Sequence, residues 1–405
     1  MNVLMISPSF PEDLAFFTRG LAQTGARVFG VGDQPLRAMH EDAQQGLTDY
    51  LQVASLWQEE AVVDQIKEWL RGRQIHRVEC LWEPGVVLAA KLRAALGAPG
   101  LNVKQADAFR DKDRMKAVLD EAGVRTPRHA RASTSEQIRE YSAEIGYPLI
   151  IKPIDGAGSA DTYPVRSDED LEEALSLIGH VPEVSVEEFI EGREFTYDTL
   201  CSNGDMLFDN ISWYRPKPLT ARLNPWISPQ AVSLRDTDCE EYQKGRELGL
   251  SVLKALNFES GITHMEWFLT PDGEAVFGEI GARAPGGRLT HVMNYSCDLD
   301  LFHAWGEAVA LGRISADTSK KYNASVIFKR AVGGGRITAH EGLSSLLSRY
   351  GEHVAHIDLN PIGSPVRDYK KVVTGDGWIV VRHPNLEATL ELSEAFANEL
   401  RIVAE

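Results

Sequence analysis

The run Val3 to Ile6 is short and continuously apolar, as a buried strand requires. It leads through Pro11-Glu12-Asp13 into a helical pattern at Leu14, Phe17 and Leu21 that ends at Gly25. A second apolar run, Val28 to Val31, stops at Gly32-Asp33. Strand, helix and strand in this order predict a parallel α/β start. Ala61 to Leu70 and Gly85 to Leu96 then read as helices and Val78 to Leu81 as a strand, so residues 1 to about 105 form one doubly wound domain. The first turn, Ser7-Pro8-Ser9-Phe10, lacks the glycines that let a backbone approach a dinucleotide pyrophosphate. Asp33 is therefore read as a strand-end Asp, and a dehydrogenase is disfavoured.

Further on, Asp111 to Glu121 is helical and breaks at Thr126-Pro127. Ser133 and Glu136 have capping-box spacing for a helix to Ile145. Pro148 to Pro153 is a strand, Asp155 to Asp161 a loop of small residues, and Thr162 to Arg166 a returning strand. Ser167 caps a helix to Ile178, and Val184 to Ile190 is a strand. Glu194 to Cys201 and Met206 to Ser212 form a hairpin around Asn203-Gly204. Thr263 to Leu269 and Glu274 to Ile280 form a second hairpin around Pro271-Asp272-Gly273. Gly245 to Leu256 and Asp300 to Leu311 are helices. The last segment has strands near Ala324 to Ala331, Val366 to Val373 and Trp378 to Arg382, and a terminal helix over Leu386 to Leu400.

Composition narrows the function. The 405 residues carry 59 acids against 42 bases, a net charge of −17. Non-specific nucleic-acid binding and polybasic membrane attachment both need a basic surface, so neither partner is expected. A local pocket can still be cationic. No apolar run approaches the ~18 residues of a membrane span, and the opening MNVLMISPSFPED does not read as a signal peptide. Cys80, Cys201, Cys239 and Cys297 form no CxxC pair, which suits a reducing cytoplasm.

Three elements carry chemistry. In THMEWFLTPDGEAVFGEIGAR, pairing Leu269 with Glu274 puts Met265, Trp267 and Leu269 on one apolar face with Val276, Gly278 and Ile280. Glu266 and Glu279 then become diagonal neighbours on the other face, beside His264. Two such carboxylates suit Mg²⁺, which takes one or two protein carboxylates plus substrate phosphates. The alternative is a solvated sheet face paired with Arg283. A loop of three or five residues would separate the two carboxylates. The second element is Lys152 on an apolar strand, followed by Gly156, Gly158 and Ser159, a loop through which backbone N–H groups can approach an anion. The third is VEEFIEGRE, in which Glu187, Glu188, Phe189, Ile190 and Glu194 offer edges and an apolar surface for a base and ribose. By composition alone it is an exposed acidic linker.

These elements, preceded by DK(x₃)K at Lys112 and Lys116, occur in an order that resembles the ATP-grasp superfamily, on its amino-acid-ligase and biotin-carboxylase-like branch. The resemblance implies an N-terminal pre-ATP-grasp α/β domain (1–106). A small lobe (107–192), a large lobe with the metal site (193–318) and a C-terminal α+β accessory subdomain (319–405) would follow. It implies that Lys112 and Lys152 bind nucleotide phosphates beneath the loop Gly156 to Ser159. Glu187 would meet the adenine amino group, Glu188 and Ile190 the ring edge beside Phe189, and Glu194 the ribose. Glu266 and Glu279 would hold one or two Mg²⁺ ions, with Mn²⁺ able to substitute. Arg283 and Lys152 would be catalytic, and Arg215, Arg283, Arg288 and His291 would meet substrate. Tyr214 and Trp226 offer an apolar wall, Arg222 a further carboxylate contact, and Lys329 or Arg330 a reach from the C-terminal segment. The activity implied is ATP-dependent ligation of a small carboxylate to an amine through an acyl phosphate, by a homodimer. A bicarbonate-dependent carboxylase and a nucleotide-binding regulatory module are the alternatives. Gly281 departs from the family, where an Asn often stands as a further metal ligand.

Overall fold

The computed structural model describes every residue except 155–160, 370 and 373. The N-terminal unit is a parallel sheet of four strands in the order Leu47–Gln52, Arg27–Gly32, Asn2–Ile6, Arg77–Cys80. The predicted doubly wound start is present. The edge strand Leu47–Gln52 was not expected, because its sequence LTDYLQ mixes polar with apolar residues and stays half-exposed. The first helix begins at Leu14, three residues after Pro11, once Asp13 has ended the preceding turn. It packs on the helix Leu301–Leu311 through two glycines. A Cβ on Gly20 would sit 2.2 Å from the Phe302 carbonyl oxygen, and one on Gly306 would sit 2.6 Å from that of Gly20. Only glycine permits this approach, which docks the N-terminal unit on the core.

A small antiparallel sheet follows in the order His129–Ala132, Val184–Glu188, Leu149–Pro153, Tyr163–Val165. Its helices are capped locally. Ser167 caps Asp168–Ile178 as expected. The cap of Ser135–Ile145 is shifted one residue from the expected box: the Thr134 hydroxyl accepts from Gln137 N–H and Ser133 N–H donates to the Gln137 side chain.

The largest element is an eight-stranded antiparallel sheet, ordered Ala275–Gly281, Gly261–Leu269, Arg193–Ser202, Asp205–Arg215, Gln230–Ser233, Asn323–Lys329, Gly377–His383, Val354–Leu359. The Asn203-Gly204 turn joins two of its strands with both residues at positive φ, as a two-residue hairpin requires. Strands from either side of residue 318 lie side by side in this sheet, Gln230–Ser233 pairing with Asn323–Lys329. Its core face buries Trp267, Phe195, Tyr197 and Met265 against the helix Glu240–Ala255. The expected strand over Val366 to Val373 is absent among its described residues. Val366 is half-buried at best, and Lys371 and Val372 donate back to the Asp368 carbonyl in a turn. Val354–Leu359 pairs with Gly377–His383 instead. No helix of the described residues is long and apolar enough to cross a membrane.

Candidate active site

A cavity of about 750 Å³ lies between the small sheet and the large one. Its chemistry starts from the hairpin of the two glutamates. The loop is five residues long, because Leu269 pairs with Ala275 rather than Glu274. Simple alternation would then send the carboxylates to opposite faces. A bulge at Gly278 reverses this: the register shifts between Glu266 and Trp267, and Glu266 pairs directly with Glu279. The expected diagonal is thus corrected to a directly opposed pair, and Phe277 takes the core-facing place that alternation gave to Val276 and Gly278. A Cβ on Gly278 would sit 2.8 Å from the Glu266 carbonyl oxygen, so the bulge needs glycine.

Lys112 opens the helix Lys112–Glu121, and its Nζ lies 3.4 Å from Glu279 Oε2. One turn on, the fully buried Lys116 donates to Glu187 Oε1 at 2.5 Å. Lys152, from the small sheet, meets Glu187 Oε2 at 2.9 Å. Both oxygens of Glu187 are therefore occupied by lysines, a partner set different from the adenine contact the resemblance implies. Burial pushes the Glu187 pKa up, but the two ammoniums outweigh it and hold it far below the ordinary range. Burial lowers Lys116 to about 8 despite Glu187. Burial also opposes the charge of Glu279, and Lys112, Lys152 and Arg283 outweigh it. Glu194 goes the other way: burial, then the Glu266 charge, raises it well above the carboxylate range. In its neutral form its side chain can donate as well as accept.

Sequence reasoning assigned no role to three members, His264, Lys116 and Glu83. His264 lines the cavity, with Nδ1 2.6 Å from Asp198 Oδ1 and Nε2 3.7 Å from Glu266 Oε1. Burial opposes its charge, yet the Asp198 carboxylate raises its pKa to about 9. The two-residue spacing from Glu266 was the available signal. Lys116 is signalled by the four-residue step from Lys112. Glu83 has no local signal: it comes from the N-terminal unit and accepts from Arg283 Nε at 2.6 Å and Arg110 Nη1 at 2.7 Å.

Phe189, Ile190, Glu188, Glu194 and Arg283 line the cavity. Tyr214 does so too, with its hydroxyl 3.4 Å from Glu266 Oε1. Gly156, Gly158 and Ser159 lie outside the described residues. Three substrate candidates do not reach the cavity. Arg215 pairs with Glu394 at 3.2 Å and lines an adjoining cavity of about 670 Å³ with the exposed Trp226. Arg288 pairs with Asp13 and, at 2.8 Å, with Glu12, while His291 Nε2 lies 3.5 Å from Asp13. Those two residues bind the N-terminal unit to the core.

No group of three or more metal-ligating side chains occurs among the described residues. The opposed Glu266 and Glu279 nevertheless fit Mg²⁺, whose shell is completed by water and phosphate oxygens rather than by an all-protein cage. At Gly281 a side chain would meet Arg283 Cγ at 3.0 Å, so the arginine stem crowds the direction a third ligand would take.

Comparison with known proteins agrees with this geometry. Residues 109–212 match the family described as an ATP-grasp domain. That segment is an ATP-grasp domain, and the chain as a whole is similar to ligases of the ATP-grasp superfamily. It is 24% identical over 312 residues to the L-arginine-specific L-amino acid ligase of Bacillus subtilis, covering 75% of this chain and 74% of that protein. The crystal structure of an L-amino acid ligase from Bacillus licheniformis superposes with a TM-score of 0.79 at 20% identity, over 100% of this chain and 98% of that one. The biotin carboxylase domain dimer of a Hydrogenobacter thermophilus 2-oxoglutarate carboxylase, solved with MgADP, ADP and bicarbonate, superposes at 0.70 and 16% identity, covering 99% and 90%. The ATP-grasp fold thus extends over the whole chain.

Proposed function

We propose that the protein is an ATP-dependent ligase that joins a small carboxylate to an amine through an acyl phosphate, releasing ADP and phosphate. The observation that carries this reading is the opposed pair Glu266 and Glu279 in one cavity with Lys112, Lys152 and Arg283. The amino acid ligase relatives support amino acids as the substrate class.

A carboxylate oxygen of the first substrate attacks the γ-phosphorus of ATP, and the bond to the bridging oxygen breaks with its electrons on ADP. Lys112 and Lys152 stand where they can neutralise the migrating charge, and Arg283, held by Glu83, can bind the acyl-phosphate oxygens. Mg²⁺ on Glu266 and Glu279 would supply further charge neutralisation of the phosphates. The amine then attacks the acyl carbon, the C–N bond forms, phosphate departs with the C–O electrons, and the amine proton is released. This chemistry is positioning and electrostatics, so it needs no protein nucleophile.

The test is phosphate release from ATP over pairs of amino acids, scored with product mass. Release that needs both a carboxylate and an amine supports the reading. Stimulation by bicarbonate alone replaces it with a carboxylase, and ATP binding without turnover for any pair replaces it with a regulatory module. The reading includes a homodimer, which light scattering tests.

A further inference from the structure

Four cationic groups in the cavity, Arg166, Lys217, Arg222 and Arg330, are left unused by these roles. Arg330 follows the strand Asn323–Lys329 and lines the same cavity. Its neighbour Lys329 turns away, donating to Ser228 Oγ at 2.8 Å and to the Ala397 carbonyl at 2.7 Å. Arg330 Nη1 donates to the Ala221 carbonyl at 2.8 Å and the Asn224 carbonyl at 3.3 Å, which anchors one side of the guanidinium. The group lies over the Tyr369 ring, 4.4 Å from its centroid. Its Nε is buried and has no hydrogen-bond partner among the described residues. Among the described residues no carboxylate pairs with Arg330. Lys112, Lys116, Lys152 and Arg283 each have one. Arg222 lines the cavity nearby and adds positive charge that acts on Arg330. A buried donor without an acceptor is costly, and an anionic ligand supplies the acceptor. Phe328, Leu289 and Gly287 give this part of the wall an apolar surface beside the charge.

We propose that Arg330, with Arg222 and Tyr369 beside it, is a carboxylate subsite that holds the unreacting carboxylate of the amine-donating amino acid. The proposal rests on the ligase reading, in which one carboxylate is activated and the other must be kept from the phosphoryl group. Arginine suits the task because its planar fork meets a carboxylate with two donors. Holding that carboxylate leaves the amine as the group presented to the acyl phosphate.

The test uses thermal unfolding of the full chain with Mg-ADP present and each of the twenty amino acids added, as free acid and as α-carboxamide. At least one amino acid is expected to raise Tm as the acid and to lose most of that shift as the amide. In Arg330→Gln the difference disappears. In Arg330→Lys, which keeps a charge without the fork, it returns only in part. The shift given by Mg-ADP alone stays the same in all three, which also shows that the variants fold. Equal shifts for acid and amide, no shift with any amino acid, or a difference that survives Arg330→Gln overturns the subsite. Loss of the Mg-ADP shift in Arg330→Gln also overturns it, since the anion is then a nucleotide phosphate. Turnover separates the two readings. With an active pair, KM for the amine donor is expected to rise roughly 10- to 100-fold in Arg330→Gln, with KM for ATP unchanged. An acid-over-amide preference without phosphate release keeps the subsite and removes the ligase.

Discussion

Glu279→Gln separates catalysis from stability. The side chain keeps its size and loses one charge. Lys112 Nζ lies 3.4 Å from Glu279 Oε2, and at an effective dielectric of 20 that attraction is worth ~5 kcal/mol before desolvation. Glu266 stands directly across the strand pair. Opposed residues have Cβ atoms ~5 Å apart, so at the same dielectric the repulsion relieved is roughly 3 kcal/mol. The two effects oppose, and the expected destabilisation is their difference, ~2 kcal/mol, a Tm change of only a few degrees in a protein of this size. Turnover has no such offset. The carboxylate is half of the proposed metal site, and its loss is expected to lower phosphate release ~1,000-fold or more, ~4 kcal/mol of barrier. The assay pairs phosphate release, with Mg²⁺ titrated, against thermal unfolding with and without Mg-ADP. Undiminished release would refute the metal assignment. A Tm fall above ~10 °C would show that Glu279 is chiefly a structural counter-ion.

Glu187→Gln leaves Lys116 and Lys152 buried against a neutral group and is expected to cost about 3–5 kcal/mol in urea unfolding; a variant as stable as the parent contradicts the clamp. His264 has a folded pKa of about 9 against an ordinary 6.5, so its pairing with Asp198 contributes about 3 kcal/mol. That contribution is complete below pH 6.5 and is lost as pH rises through 9. The stability difference between wild type and His264→Gln should therefore shrink across that window, and a constant difference rejects the pair. Gly278→Ala drives a methyl to 2.8 Å from the Glu266 carbonyl oxygen and is expected to cost ~1–3 kcal/mol with loss of turnover; full activity means that the bulge does not set the carboxylates.

Much of this site was legible because its residues sit on regular elements with strong local patterns. Lys152 lies on a buried strand, and Glu266 and Glu279 lie on a hairpin whose apolar face is unmistakable. The directly opposed pairing was not legible. It results from two irregularities that cancel, a five-residue loop and a bulge, and only the bulge glycine marks the second. Long-range partners were also hidden. Nothing near Glu83 announces Arg283, 200 residues away, nor do the neighbours of Glu187 show that a lysine 71 residues earlier claims one of its oxygens. The guess of Arg288 and His291 as substrate ligands failed for a related reason. Their spacing from Arg283 is suggestive, but Glu12 and Asp13, from the far end of the chain, had already claimed them. In the C-terminal segment the valines of 366–373 imitate a strand, while the half-exposed Val354–Leu359 forms one because Gly377–His383 offers it an edge.

The continuous eight-stranded sheet limits how this protein can be cut and recombined. A chimera joined after residue 318 would seem to preserve a lobe, yet it would remove Asn323–Lys329 from beside Gln230–Ser233. Those four residues are wholly buried, so the cut would turn an interior strand into an open edge with unpaired backbone groups. Such an edge is a template for pairing with other chains, and the truncated protein would aggregate. Exchange of substrate preference between relatives is better sought by replacing the wall around Arg330 within an intact sheet than by transplanting the C-terminal segment.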